Sequence, residues 1–306
     1  MKHKKNILMY SFCCFLISCL SSCTKQDELD KNQSSTLLNI AVSIASEEQP
    51  SSRSSINSFI AGSKIGLFIT KGSLDNPYEG NSSNLLSEYS GTNWLTDPIN
   101  LKPAMAAVFA YYPYNSSYMN GKLLPVESTS QTDYMFGRGL NLVNILNTST
   151  NIEMQHAFSK IVFQIKKVNY VDRAIVKSIS ITGKDRYIYP ISGVLNCEEG
   201  IIAPAKTNGT LTIQSSKVLT ESNQIFEALS LPLPKQISSD DLVFDLVITI
   251  DGADKQFSVN VPSGTHWRNG NTYIYSLTLT GVSLELSSDV TINNWGNSST
   301  GNGSII

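Results

Sequence analysis

The sequence predicts an all-β protein built from antiparallel sandwiches. Many short stretches alternate apolar with polar residues, which is the period of a strand with one buried face. Turn-forming residues separate these stretches at short intervals. No stretch keeps helical periodicity for longer than a turn or two. These patterns are typical of β-sandwiches, and a change in strand length near residue 150 indicates two of them.

The chain begins with a secretory signal followed by a lipid attachment motif. A basic start precedes an apolar run from Ile7 to Leu20, which indicates a signal peptide rather than a membrane span. The run ends in Leu20-Ser21-Ser22-Cys23, and an aliphatic residue, two small residues and a cysteine form the lipobox of Gram-negative lipoproteins. We therefore predict a signal peptide over residues 1–22 and acylation of Cys23, which would tether the mature chain to a bilayer. The alternative is a soluble signal peptide with a coincidental cysteine.

Charge and cysteine content narrow the classes of function. Without the three lysines of the signal, the chain has 20 basic and 25 acidic residues (23 − 3 = 20), a net charge of −5. It has no basic run and no basic amphipathic helix, so nucleic acid is not expected as a partner. Of the five cysteines, three leave with the signal and Cys23 carries the lipid. Cys197 is then left without a partner for an intramolecular disulfide.

Composition divides the mature chain into a tether and two sandwiches. Residues 23–36 are polar and poor in apolar side chains, which predicts a tether. Its acidic residues resemble the surface-export signal of some lipoproteins, which favours the outer face of the outer membrane. A polar run at Asn147–Asn151 predicts the boundary between an N-terminal sandwich (37–150) and a C-terminal sandwich (151–306).

The first sandwich begins with the clearest strand of the chain. Four apolar residues alternate there with small or polar ones, so one face of the strand is expected to be buried. These residues are Leu38, Ile40, Val42 and Ile44. A Ser-rich loop carrying Arg53 follows. Further strands are predicted over 65–70 and 106–112, and the segment 71–100 between them is rich in turn formers.

The second sandwich has longer strands and shorter loops. A bulge is expected near Ser159-Lys160, because the parity of the inward residues changes there. Asp251-Gly252 predicts a two-residue hairpin turn, and the last strand places Tyr273 and Tyr275 inward. The predicted strands cover 152–158, 161–165, 175–182, 209–214, 225–231, 242–250, 256–261 and 272–280.

The sequence shows no pattern for catalysis or for binding a metal or cofactor. His156 and His266 lie far apart, and His156 has the buried parity of its strand, as expected of a core histidine with a satisfied hydrogen bond. Asp240 and Asp241 are adjacent, so in a strand their side chains would point to opposite faces. Neither G-x-S-x-G nor a glycine-rich phosphate loop occurs. We therefore predict a protein that is not an enzyme and has no cofactor.

A group of tyrosines forms a candidate binding surface. Tyr111, Tyr112, Tyr114 and Tyr118 lie close together in the sequence. Exposed tyrosines bind sugars and proteins at little cost in conformational entropy. The alternative is that the strand buries one tyrosine face and that the other rings only cover the sheet.

Taken together, several segments resemble the fimbrillin family, which comprises the subunits and related surface lipoproteins of type V fimbriae. The matching segments are the lipobox ending at Cys23, Trp94 with Val108–Tyr114, Asp133–Met135, His156–Ile161, Gly270–Tyr275 and Val290–Trp295. They occur in the expected order over the mature chain. The resemblance implies two tandem transthyretin-like β-sandwiches, in agreement with the strand pattern.

The resemblance also implies a route of assembly. In pilus-forming members a surface protease cuts after a basic residue behind the first strand, and a terminal strand of the next subunit fills the groove that is left. Here the cut would separate Arg53 from Ser54, because Arg53 is the only basic residue between Lys31 and Lys64. Arg53 can equally be an ordinary solvated arginine. The donor strand would carry apolar residues with a gap at Ser288, namely Val282, Leu284, Leu286, Val290 and Ile292.

These observations leave two principal functions. The first is a fimbrial subunit or fimbria-associated surface lipoprotein in cell adhesion, with other fimbrial subunits and the outer membrane as partners. The second is a free-standing outer-membrane lipoprotein that binds glycans or host proteins through tyrosines such as Tyr112 and Tyr114, without polymerising. A hydrolase is disfavoured by the lack of a catalytic constellation.

Overall fold

Strands make up the regular structure of the described residues. The computed structural model describes residues 36–45, 58–79, 82–169, 173–184, 186–238, 240–281 and 283–295. Over these ranges it contains nineteen strands and no α-helix, which confirms the predicted all-β fold. Accordingly, these ranges hold no helix long and apolar enough to cross a membrane.

The strands are numbered in chain order. Those of the first half are β1 (Asn39–Ile44), β2 (Lys64–Thr70), β3 (Leu85–Tyr89), β4 (Trp94–Thr96), β5 (Ala107–Tyr112), β6 (Leu124–Glu127), β7 (Met135–Gly139) and β8 (Ser149–His156). Those of the second half are β9 (Ser159–Val168), β10 (Ala174–Gly183), β11 (Ser192–Asn196), β12 (Ile201–Pro204), β13 (Thr210–Val218), β14 (Gln224–Ser230), β15 (Leu242–Ile250), β16 (Ala253–Asn260), β17 (Asn271–Thr280), β18 (Ser283–Leu286) and β19 (Thr291–Asn294).

A seven-stranded sheet forms most of the first half, in the order β1-β8-β7-β5-β2-β3-β4. Its neighbouring strands are antiparallel except for β1 and β8, which run parallel. One face of the sheet packs a hydrophobic cluster that includes Ile65, Val108 and Ile152. Every second residue of β8 is buried, because alternate side chains of a strand point to opposite faces.

Two further sheets form a sandwich in the second half. One has the order β13-β10-β15-β16, and the other has the order β14-β9-β17-β18, with β19 also paired to β17. Their facing side chains share one hydrophobic cluster. Phe244 of the first sheet makes edge contacts with Phe163 and Tyr275 of the second, with ring centroids 4.8 Å apart in both pairs. This interlocking of aromatic rings is a favourable way to join two sheets.

A third, three-stranded sheet, β12-β11-β6, pairs one strand of the first half with two strands of the second. Its inner face covers the side of the seven-stranded sheet that bears Phe68 and Phe109. The same hydrophobic cluster includes Phe158 and Trp295. One apolar layer therefore links the two halves of the chain, and their division into domains at residue 150 stays a prediction.

The hairpin between β15 and β16 follows the sequence prediction closely. β15 has the predicted bounds, Leu242–Ile250. Asp251 and Gly252 have positive φ angles of 51° and 81°, as both central residues of a type I′ turn require. Tyr273 and Tyr275 of β17 are buried, so the predicted inward face of that strand is also observed.

Two features of the fold differ from the sequence prediction. The expected bulge near Ser159-Lys160 is instead a break, because β8 ends at His156 and β9 begins at Ser159 in a different sheet. Six short strands also lie where none was predicted: β3, β4, β6, β7, β11 and β12. Short strands such as these are specified by their neighbours in the sheet more than by their own pattern.

Candidate functional site

The first strand places its apolar residues in the core of the seven-stranded sheet. Ile40 and Ile44 are buried, and Leu38 and Val42 are partly buried against the same hydrophobic cluster. The residues between Ile40 and Ile44 on the opposite face are exposed. This is the alternation that the sequence predicts for the strand.

β1 is an edge strand of the seven-stranded sheet, and it and the residues just before it pair with two different segments. On one side, all six of its residues pair with residues 149–154 of β8. On the other side, the N–H of Leu38 donates to the carbonyl of Ile99 at 2.9 Å, and the N–H of Leu101 donates to the carbonyl of Thr36 at 2.8 Å. The latter segment follows β4, which is the far edge of the same sheet. Thr36 and Leu38 precede β1, so loss of the whole segment 36–44 would leave two backbone edges without this partner.

Four predicted site residues lie outside the described part of the chain: Cys23, Arg53, Ser54 and Val282. The described range that contains β1 ends at Ala45, whose N–H donates to the carbonyl of Met154 at 2.9 Å. The structure describes the chain again from Ser58. The lipid attachment site and the cleavage site therefore stay predictions.

The predicted donor segment is the edge of the chain's own second sandwich. β18 pairs with residues 277–280 of β17, and β19 pairs with residues 271–274. Between these pairings the segment has four residues, 287–290, opposite only two of β17. This irregularity lies where Ser288 interrupts the sequence alternation. Val290 is buried, and the partly buried residues are Leu284, Leu286 and Ile292.

The segment ends in a buried aromatic residue. Trp295 stacks on the imidazole of His156, and both side chains are buried. Nδ1 of His156 lies 2.9 Å from Oδ1 of the buried Asp133, and a carboxylate oxygen accepts a hydrogen bond from a ring N–H in this arrangement. His156 is thus a core histidine with a hydrogen-bond partner, as its strand parity indicates.

The four candidate tyrosines occupy different environments. Tyr111 is buried, and its hydroxyl donates to Oδ1 of Asn84 at 2.5 Å; burial raises the pKa of its phenol. Tyr112, Tyr114 and Tyr118 are partly exposed. Only these three can present a ring face to a ligand without rearrangement. A binding role for the group stays a prediction.

Tyr118 borders a groove that the sequence did not reveal. The groove has a volume of about 670 Å³ and is also lined by Tyr134. Its floor contains Pro125, Val194 and Ala203, which are direct neighbours in the register of the three-stranded sheet. These residues are far apart in the chain, so no local pattern signals the site. A concave surface with two aromatic rings is suited to a sugar or a peptide.

The described residues contain no group of three His, Cys, Asp or Glu side chains that could hold a metal ion. His266 directs Nε2 to the carbonyl of Leu233, at 3.0 Å. Cys197 is buried, and burial raises the pKa of its thiol to about 12. A thiol with that pKa is protonated near neutral pH and is a poor nucleophile.

A family model described as fimbrillin-like matches residues 52–295 of the chain. Solved structures show the same fold. A candidate cell adhesion protein from Bacteroides uniformis has a TM-score of 0.60 and 19% identity, over 85% of this chain and 99% of that protein. A fimbrial protein from Bacteroides vulgatus has a TM-score of 0.57 and 11% identity, over 85% and 99%. No curated protein sequence matches the chain.

Proposed function

The chain belongs to the fimbrillin-like family, and from that membership we propose that it is a fimbrial subunit or fimbria-associated surface lipoprotein that acts in cell adhesion. We further propose that Cys23 carries acyl chains that hold it at the outer face of the outer membrane. The lipobox and the acidic residues behind it support this location. Its partners would be other fimbrial subunits, of the same or a related chain.

The proposed assembly step is the replacement of β1 by a strand from another subunit. The observation that carries this proposal is the pairing of residues 36–44, with β1 held by β8 and the residues just before it held by residues 99–101. Cleavage at Arg53 would leave β1 held only by hydrogen bonds and by its four apolar side chains. The two buried side chains, Ile40 and Ile44, contribute roughly 3–6 kcal/mol, at about 1.5–3 kcal/mol each, and the partly buried Leu38 and Val42 add less. An incoming strand with matching apolar residues would recover that free energy and pair both open edges.

The C-terminal segment is the proposed donor, and it must first leave its own sheet. β18 and β19 are short, and residues 287–290 between them are not part of either strand. This irregular pairing with β17 weakens the hold of the segment compared with a continuous strand. Trp295 opposes release, because its ring is buried against His156. A donor role therefore requires that Trp295 leave this position.

Intact mass and N-terminal sequencing of the protein recovered from the cell surface test the proposal. For a polymerising subunit we expect a mature chain that begins at Ser54, together with SDS-resistant ladders. An Arg53→Ala variant should keep β1 and form no ladders. A wild-type chain that still begins with acylated Cys23 would exclude the processed subunit. The remaining interpretations would then be an anchor subunit or a solitary lipoprotein.

A second candidate function is a free-standing lipoprotein that binds glycans or host proteins. The groove beside Tyr118 and Tyr134 favours it. Glycan-array binding that is lost in Tyr112→Ala and Tyr114→Ala, or in Tyr118→Ala, with no polymer in the wild type, would support this function. Wild-type ladders without glycan binding would support the fimbrial one.

A further inference from the structure

One end of the seven-stranded sheet carries a group of exposed apolar residues. We call it the entry end, and it comprises residues 36–38, 97–106 and 140–149. β1, β5 and β8 begin at this end, and β4 and β7 finish there, as their pairing directions require. The exposed residues, with their exposed fractions, are Leu37 (42%), Met105 (56%), Leu140 (72%), Leu142 (43%) and Leu146 (89%).

Backbone hydrogen bonds hold the segments that carry these residues together at one end of the sheet. Ala106 and Val143 exchange two hydrogen bonds, of 2.8 and 2.9 Å, which places Met105 beside the loop that carries the leucines. The N–H of Asn39 donates to the carbonyl of Thr148 at 2.9 Å, so the start of β1 lies along the other side of that loop. Exposed apolar patches of several hundred Å² usually mark an interaction surface.

The asparagine side chains of the loop 140–149 form hydrogen bonds with backbone groups of the same loop. Oδ1 of Asn144 accepts hydrogen bonds from the N–H groups of Leu146, at 2.9 Å, and Asn147, at 3.0 Å. The side-chain amides of Asn141 and Asn147 donate to backbone carbonyls, at 3.0 and 3.1 Å. The loop has no charged residue. Its leucines can therefore be inserted without burying a charge of the loop itself, while the charged residues of the entry end, Asp97 and Lys102, are exposed in the segment 97–106.

The chain before Thr36 indicates what covers this surface. Cys23 precedes Thr36 by 13 residues (36 − 23 = 13), which span at most about 45 Å when fully extended. Thr36 belongs to the entry end, since its carbonyl accepts a hydrogen bond from Leu101. A bilayer that holds an acylated Cys23 therefore lies no more than about 45 Å from Thr36, at the entry end.

We propose that the entry end rests on the lipid surface, with Leu140, Leu142 and Leu146 inserted at the boundary between headgroups and acyl chains. Apolar side chains on a peripheral protein typically enter this boundary to a depth of about 5–10 Å. The contact orients the protein so that β5 and β8 run away from the membrane and β7 runs toward it. This inference rests on the proposed lipid anchor at Cys23, and it applies to the chain before any cleavage at Arg53.

The test uses the lipidated mature chain in vesicles of phosphatidylethanolamine and phosphatidylglycerol. A Leu146→Cys variant is labelled with an environment-sensitive fluorophore; Cys197 is buried and stays unlabelled. Ile60→Cys is the matched control, because Ile60 is also exposed and lies at the opposite end of the sheet. With nitroxide-labelled lipids, the probe at position 146 should lose about half of its emission or more, and the probe at position 60 should lose little.

Two further readouts separate the outcomes. Adding Leu140→Ser and Leu142→Ser to the labelled protein should reduce the quenching, because both leucines contribute to insertion. Equal quenching at positions 146 and 60 would overturn the inference. The inference would also be overturned if the probe at position 146 were shielded from water, were not quenched by the labelled lipids and cross-linked to a second copy. This surface would then be a contact between subunits. Intact mass and vesicle flotation report the lipid anchor separately, and an unacylated Cys23 would refute both the anchor and this inference.

Discussion

The indole of Trp295 lies parallel to the imidazole of His156, with ring centroids 3.9 Å apart and an angle of 7° between the planes. His156 ends β8 of the seven-stranded sheet, and Trp295 directly follows β19 of the second sandwich. Asp133 fixes the imidazole by a hydrogen bond of 2.9 Å. The stack therefore fastens the C-terminal segment to the first half of the chain.

Trp295→Ala should lower the free energy of unfolding by about 3–5 kcal/mol, because it removes a fully buried indole from a shared hydrophobic cluster. Denaturant unfolding followed by circular dichroism measures the loss. Trp94→Ala is the control, since Trp94 is only partly buried, on the edge strand β4. Equal losses in the two variants would contradict the special position of Trp295.

Asp133→Ala should lower the free energy of unfolding by about 1–3 kcal/mol, since Nδ1 of the buried His156 then lacks an acceptor. Asp133→Asn keeps an oxygen that can accept the hydrogen bond, so its loss should be smaller. The same unfolding measurement compares the two variants. Identical losses would mean that the hydrogen bond does not stabilise the fold.

Ile40→Ala should cost about 2–5 kcal/mol of unfolding free energy, because Ile40 points into the core. Ala41→Ser changes the neighbouring residue on the solvent face, and its effect should stay within about 0.5 kcal/mol. Thermal or denaturant unfolding of the uncleaved chain distinguishes them. A large loss at position 41 with none at position 40 would show that β1 faces the other way.

Stability should fall in alkaline solution through groups that burial keeps protonated. Burial raises the pKa of the Cys197 thiol from 9.0 to about 12, so above pH 9.0 the unfolded chain loses a proton that the folded chain keeps. The stabilisation from one such group is complete below pH 9.0. Between pH 9.0 and the folded pKa it falls by about 1.4 kcal/mol per pH unit. Burial also raises the pKa of Tyr189 and of Tyr275.

A Cys197→Ala variant isolates this contribution. The slope of unfolding free energy against pH should become shallower above pH 9.0 and stay unchanged near neutral pH. The cavity that the substitution leaves shifts the whole curve but not its slope. If wild type and variant have the same slope, the thiol does not titrate as its burial implies.

Local sequence patterns predicted the strands whose side chains alternate between core and solvent. β1 and β15 are examples, because one face of each packs against a single hydrophobic cluster. The three-stranded sheet was missed, because Pro125, Gly193 and Pro204 interrupt its strands, and such residues normally indicate turns. The parallel pairing of β1 with β8 was also not predicted, since a strand pattern carries no information on which strand lies beside it.

The sequence indicates which side chains of β1 and of the C-terminal segment face the core, but not which other segments they contact. The alternating apolar residues of β1 and of the C-terminal segment were identified from sequence. Two facts depend on long-range packing and were not: residues 99–101 flank β1, and Trp295 stacks on His156. Both contacts join segments that are more than fifty residues apart in the chain, and such pairings are set by the whole fold.

The parallel alignment of β1 and β8 has a mechanical consequence for a surface protein. If Cys23 is held in the membrane and an adhesion partner pulls on the second half, the load enters the fold at Thr36 and acts along β1. The six residue pairs between β1 and β8 then resist sliding together, instead of opening one after another from an end. In the uncleaved chain the covalent backbone and these six pairs would share the load, and after cleavage behind β1 the noncovalent pairing would carry it alone.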